Sequence, residues 1–222
     1  MTQYFEREMS KLKNKMLSLC AITEESVQMA VKSFENRDER LAQQVIKRDI
    51  LVDQEEVEVE EECLKILALH QPVAIDLRFI VAALKINNDL ERVGDLSSNI
   101  AERAIILSSK VKVESPLDLV EMASHVKKML KSSLDGLVNM DESLARKVLS
   151  MDDVVDKAYR QMYERILEKI KNDPGKTEIY LNLLSLARQL ERIADHATNI
   201  CEDVIYMVSG EIIRHQPFSA EL

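Results

Sequence analysis

A chain of 222 residues with 46% hydrophobic content is long enough to bury one large core or two small ones. Four Gly, four Pro, no Trp and 4% aromatics beside ten Met leave too few turn and strand formers for a sheet protein, so the composition predicts an all-α fold. The formal charge of -9 argues against a nucleic-acid partner, because phosphate contacts call for a basic face.

Met9, Leu12, Met16, Leu19, Val27 and Val31 recur at helical spacing and predict a first helix from about Tyr4 to Asn36. Asp38 has the chemistry of an N-cap for a second helix that runs to about His70, with Asp49 as the candidate position of a break. Pro72 suits the first turn of a third helix reaching about Leu107. Ser109 to Pro116 then reads as linker. The second half repeats the order: helices from Pro116 to Asn139 and from Asp141 to about Lys171, a Pro-Gly loop from Asn172 to Lys176, and a last helix from Thr177 to about Gly210. The expected domains are 1–108 and 116–222, joined over 109–115.

The repetition extends to the residues themselves. Leu90 to Glu102, LERVGDLSSNIAE, returns as Leu190 to Glu202, LERIADHATNICE, with seven of thirteen residues unchanged. Asp38-Glu39 and Leu41-Ala42 match Asp141-Glu142 and Leu144-Ala145, and Asp49 and Asp53 match Asp152 and Asp156 at the same offset. Three helices duplicated to six predict two tandem three-helix bundles, side by side or end to end, each closed by an apolar seam.

On the third helix the seam runs through Phe79, Ala83, Ile86, Leu90, Val93, Ile100, Ala104 and Leu107, interrupted at Ser97; the last helix carries Ile179, Leu183, Leu186, Leu190, Ile193, Ala197, Ile200, Val204 and Met207 in the same register. Glu91, Asp95, Asn99 and Glu102 fall within an arc of about 80° on the opposite side, as do Glu191, Asp195, Asn199 and Glu202. These ladders are expected to line an outer groove. Carboxylates at i and i+4 repel each other by a few tenths of a kcal/mol, so a helix gains nothing from them. With Asp49/Asp53 and Asp152/Asp156, four such pairs in two symmetric sets suggest a hard-cation site in each half.

A plain solvated face explains most isolated acidic stripes, and duplication copies residues that have no role. The run from Asp53 to Glu62 is read as such a face. His196 follows Asp195, but its counterpart is Leu96, so it is expected to pack or face solvent and not to serve as a shared ligand. Cys20, Cys63 and Cys201 are odd in number and form no CxxC, which argues for a reducing compartment and against a disulfide framework or thiolate zinc site. No apolar run approaches the roughly 20 residues that span a bilayer, so a cytoplasmic protein is expected. There is no glycine-rich phosphate loop, HExxH or nucleophile motif, and an enzyme is not expected. A ferritin-like di-iron core is disfavoured because no Glu-x-x-His occurs.

The segment Gln71-Pro72-Val73-Ala74-Ile75-Asp76-Leu77-Arg78-Phe79-Ile80, followed by Leu84-Lys85-Ile86 and by Asp89-Leu90-Glu91-Arg92-Val93-Gly94-Asp95, resembles the signature of the PhoU family of bacterial phosphate-uptake regulators. Leu190-Glu191-Arg192-Ile193-Ala194-Asp195-His196-Ala197-Thr198-Asn199-Ile200 resembles that family's C-terminal repeat. The resemblance covers essentially the whole chain. It implies a cytoplasmic regulator that restrains the phosphate-starvation response by connecting the ATP-binding subunit of a high-affinity phosphate transporter with a sensor histidine kinase, and it implies a homodimer.

It also implies multinuclear iron or zinc on surface E(D)xxxD motifs, here Asp49/Asp53, Glu91/Asp95, Asp152/Asp156 and Glu191/Asp195. Glu56 and Glu60 are replaced by Tyr159 and Tyr163 in the second half, so the two sites are not expected to bind equally. A metal-dependent phosphate-handling or metal-storage protein is the alternative.

Overall fold

The computed structural model describes residues 3–111 and 119–213. Among these residues seven α-helices follow one another: α1 (Gln3–Asn36), α2 (Glu39–His70), α3 (Ala74–Ser108), α4 (Leu119–Asn139), α5 (Glu142–Leu149), α6 (Asp152–Asn172) and α7 (Thr177–Ser209), with a 3-10 turn at Pro174–Lys176. The duplicated all-helical plan holds, with the predicted fifth helix divided into α5 and α6. The expected start of the fourth helix at Pro116 and most of the linker lie outside the described residues.

Local chemistry accounts for the boundaries. Asp38 and Asp141 occupy equivalent N-cap positions, and their side chains accept from the Leu41 and Leu144 backbone N–H groups, each at 3.0 Å. Each cap follows a left-handed residue, Arg37 at φ 54° and Met140 at φ 52°. At the far end of α7, Gly210 at φ 77° closes the helix by donating its N–H to the Tyr206 carbonyl at 3.0 Å.

The break expected near Asp49 is absent: α2 passes through Asp49 without interruption, and the break occurs instead at the equivalent place in the second half, Ser150–Met151. Ser150 Oγ donates to the Lys147 carbonyl at 2.7 Å, and the Met151 N–H turns back to the Val148 carbonyl at 2.9 Å. Asp152 and Asp153 then suit the positive N-terminus of the next helix. Lys47, the counterpart of Ser150, lies within the unbroken α2.

The longest helices form the centre. α3 packs on α1, α2 and α7, while α7 packs on α3, α4, α5 and α6. The two halves therefore stand side by side, and their apolar interiors join through α3 and α7 into one continuous core. Leu90, Val93, Ile100, Leu190, Ile193 and Ile200 are all fully buried, as the seams require. Ser97 fits there because its Oγ donates to the Val93 carbonyl at 2.7 Å, which satisfies the hydroxyl within its own helix.

Polar residues also cross between halves. His196 Nδ1 on α7 lies 2.7 Å from Asp89 Oδ1 on α3, Asn199 Nδ2 donates to the same oxygen at 3.2 Å, and Lys85 pairs with Asp203 at 3.4 Å. Asn199, expected in the acidic ladder, thus belongs to the contact between the halves. The acidic run ending at Glu62 is not wholly solvated either: Glu62 and Glu8 are buried between α1 and α2, where Lys11 and Lys65 pair with them.

Candidate metal site

Each half places two carboxylate pairs on adjacent helices: Asp49 and Asp53 on α2 beside Glu91 and Asp95 on α3, then Asp152 and Asp156 on α6 beside Glu191 and Asp195 on α7. One helical turn separates the members of a pair, so both project from one face. In the second half this arrangement converges. Ligand oxygens of Asp152, Asp156 and Asp195 come within 4.8 Å of one another, the only such acidic group found among the described residues. Glu191 stands next to them but is only 9% exposed, because α7 is covered by α4, α5 and α6 as well as α3. The expected outer groove is therefore open at Asp156 and Asp195 and closed at Glu191.

The electrostatics of this cluster are unfavourable without a cation. Burial pushes the Asp152 carboxyl up to about 6 from its ordinary 3.8, with Asp156, Asp195 and Asp153 adding repulsion. Asp195 and Glu191 are raised in the same way, first by burial and then by the neighbouring carboxylates. Arg188 compensates in part by donating to Glu191 Oε1 at 2.7 Å. Two buried oxygens, Asp152 Oδ1 and Glu191 Oε2, have no hydrogen-bond partner. A buried acceptor without a donor costs roughly 1 to 3 kcal/mol, and a bound cation would remove that cost.

The first half follows the same logic with looser geometry. Burial raises Asp49, with Asp53 and Asp95 contributing, and burial likewise raises Glu91, with Asp95 next. Glu91 Oε2 accepts no hydrogen bond, although Arg92 Nε lies 3.4 Å away. Gly94 lets the helices approach: a Cβ there would meet Val52 Cγ1 at 2.9 Å and Asp49 Oδ1 at 3.3 Å. Its counterpart Ala194 already carries that Cβ, which marks one local difference between the sites. Glu56, raised by burial and then by Glu60 and Asp53, extends the first-half cluster along α2. Asn87 Nδ2 donates to its Oε1 at 2.9 Å, a contact that the acidic pattern alone did not reveal.

These residues fit a hard cation. The donors are carboxylate oxygens from two helices, with no thiolate among them: all three cysteines are buried and free, and burial pushes each thiol up to about 12. His196, turned toward Asp89, does not point to a shared ligand role.

A pH dependence follows from Asp152. Because its folded pKa lies above the ordinary value, the carboxyl contributes stability that is fully present below about 3.8 and lost as pH rises through about 6. Metal-free protein should therefore gain from this group as pH falls from 7 to 5, and Asp152→Asn should flatten that gain. Denaturant titrations of both proteins at the two pH values measure it; equal slopes would show that the carboxyl is not perturbed.

The PhoU domain model matches residues 16–104 and again 119–204, one copy in each half. The chain belongs to the PhoU family. A Thermotoga maritima protein named phosphate-specific transport system accessory protein PhoU homolog 1 is 36% identical over 209 residues, covering 94% of this chain and 90% of the relative. A Pseudomonas aeruginosa PhoU homolog is 39% identical over 96% of this chain and 89% of its own length.

Solved PhoU structures agree in fold. That of Pseudomonas aeruginosa PhoU superposes with a TM-score of 0.88 at 38% identity, covering 93% of this chain and all of its own. The phosphate transport system regulatory protein PhoU of Streptococcus pneumoniae superposes at 0.84 and 27% identity, covering 94% and 98%. Both matches span the two halves together, so the side-by-side arrangement is a property shared with this family.

Proposed function

We propose that this chain is a regulatory adaptor of phosphate uptake, which restrains the phosphate-starvation response by coupling the ATP-binding subunit of a phosphate transporter to a sensor histidine kinase. The observation that carries this reading is similarity along nearly the whole chain to proteins named as phosphate-transport accessory proteins. No helix among the described residues is long and apolar enough to cross a membrane, so contact with a transporter would run through its partner surfaces.

Metal belongs to the same proposal. Asp152, Asp156, Glu191 and Asp195 would hold one iron or zinc centre, and Asp49, Asp53, Glu91 and Asp95 another. A bound cation would supply positive charge between two helices that otherwise repel, tying α2 to α3 and α6 to α7. The cluster of unpartnered, desolvated oxygens in the second half supports this assignment.

Deleting the gene should leave phosphate-starvation genes switched on in phosphate-replete cells. A transcriptional reporter in the deletion strain, with and without a complementing copy, makes the measurement. A silent reporter with unchanged phosphate uptake would overturn the adaptor reading and leave metal handling as the better account.

A further inference from the structure

The two halves meet at one end of the molecule around an apolar cleft of about 270 Å³. Met9 and Met16 of α1, Phe79 of α3, Met140 at the α4–α5 turn and Met207 of α7 supply much of its lining. Its rim is apolar as well: Ile75 is 67% exposed and Val138 50%. These residues come from both repeats, so the cleft exists only because the halves stand side by side. The acidic clusters take no part in it.

Two charges stand at this otherwise apolar site. Lys13 lines it from α1 with its Nζ 5.4 Å from the centre of the Phe79 ring, and Asp76 lines it from the first turn of α3. Neither forms an ion pair among the described residues. Unbranched methionine side chains adapt to varied apolar shapes, while a single cation and a single anion at the edge give such a surface a direction. An apolar helix face flanked by one acidic and one basic residue complements both features, in the groove mode of helix recognition.

We propose that this cleft receives the apolar face of an amphipathic helix from a protein partner, with an acidic side chain set against Lys13 and a basic one against Asp76. The inference rests on the adaptor reading for the existence of a partner and adds where that partner docks. Because both repeats line the cleft, a helix seated there binds one arrangement of the halves in preference to others, which links partner binding to any change between them.

The test is a phage-displayed library of helix-length peptides selected on the full chain, with the selected peptides re-bound to Val138→Lys and Lys13→Glu proteins. Both positions are exposed, and circular dichroism is the check that the variants fold. The expected peptides carry apolar residues at i, i+3 or i+4, and i+7, with an acid on one flank. Val138→Lys should weaken them by about tenfold or more, the loss of a well-packed interface anchor, and selection on Lys13→Glu should exchange the acid for a base. Peptides without that periodicity, or ones bound equally well by Val138→Lys, would overturn the proposal. So would a dimer of this chain that Val138→Lys dissociates, or phosphatidylglycerol-vesicle binding that the same change abolishes. The selection reads cleft binding in the purified chain, whereas the reporter strain reads regulation whatever surface carries it, so the two failures are distinct.

Discussion

Changing Asp152 and Asp195 together to Asn should empty the second-half carboxylate site and leave the first-half site able to take up metal. The two residues come from different helices, α6 and α7, and their oxygens converge with that of Asp156 within 4.8 Å. Removing both leaves the half-buried Asp156 and the buried Glu191, too few charged carboxylates to hold an iron or zinc centre between the two helices. The first-half ligands lie on α2 and α3 and share no helix with them. Glu91→Gln with Asp95→Asn is the reciprocal experiment.

Elemental analysis after loading with iron or zinc, then exhaustive dialysis, reads the stoichiometry of parent and variants. Metal lost from both halves in either double variant would mean that the sites are linked through α3 and α7. No metal retained by the parent protein would remove the carboxylate sites altogether. A graded result has its own content: since the first half has the looser acidic geometry and adds Glu56, unequal retention would track the departure between Glu56 and Tyr159 noted in the repeat.

The repeated features of this molecule were legible in its sequence because each has a local cause. Asp38 and Asp141 are short acceptors at matching places before amphipathic segments; Asp38 caps as expected, and Asp141 does the same. The Leu90 and Leu190 seams follow from period alone, and both are buried. What escaped the reading depends on neighbours in space. One helix's pattern says which face carries Glu191 but not that the packing around α7 buries it. Asp89, His196 and Asn199 join the halves, yet comparison of the repeats passes over the first two, since Asp89 has Gln189 as its counterpart and His196 has Leu96, and it groups Asn199 with the acidic ladder. Duplication draws attention to what is shared, and the contact between the halves is built largely from what is not. The helix break follows the same pattern: the repeated aspartates mark the position in both halves, but only the second half breaks there, beside Ser150, whose counterpart is Lys47.

Leu190→Ala should destabilise the protein by about 2 to 5 kcal/mol, whereas Asp195→Asn should leave metal-free stability unchanged or raise it. Leu190 is 0% exposed on a helix that packs against four others, so removing its side chain leaves a cavity that no single neighbour can fill without moving the rest. Asp195 lies five residues further along α7 with the opposite balance. Burial raises its carboxyl first and Asp156 second, against the partial relief of Arg188, His196 and Arg192, so at neutral pH its charge opposes folding. An amide of the same shape removes that charge. Urea denaturation of metal-free protein at pH 7 separates the two variants by midpoint at constant slope. Equal losses would identify Asp195 as a structural residue, held by its neighbours for stability, and the case for a carboxylate kept there to bind a cation would fall with it.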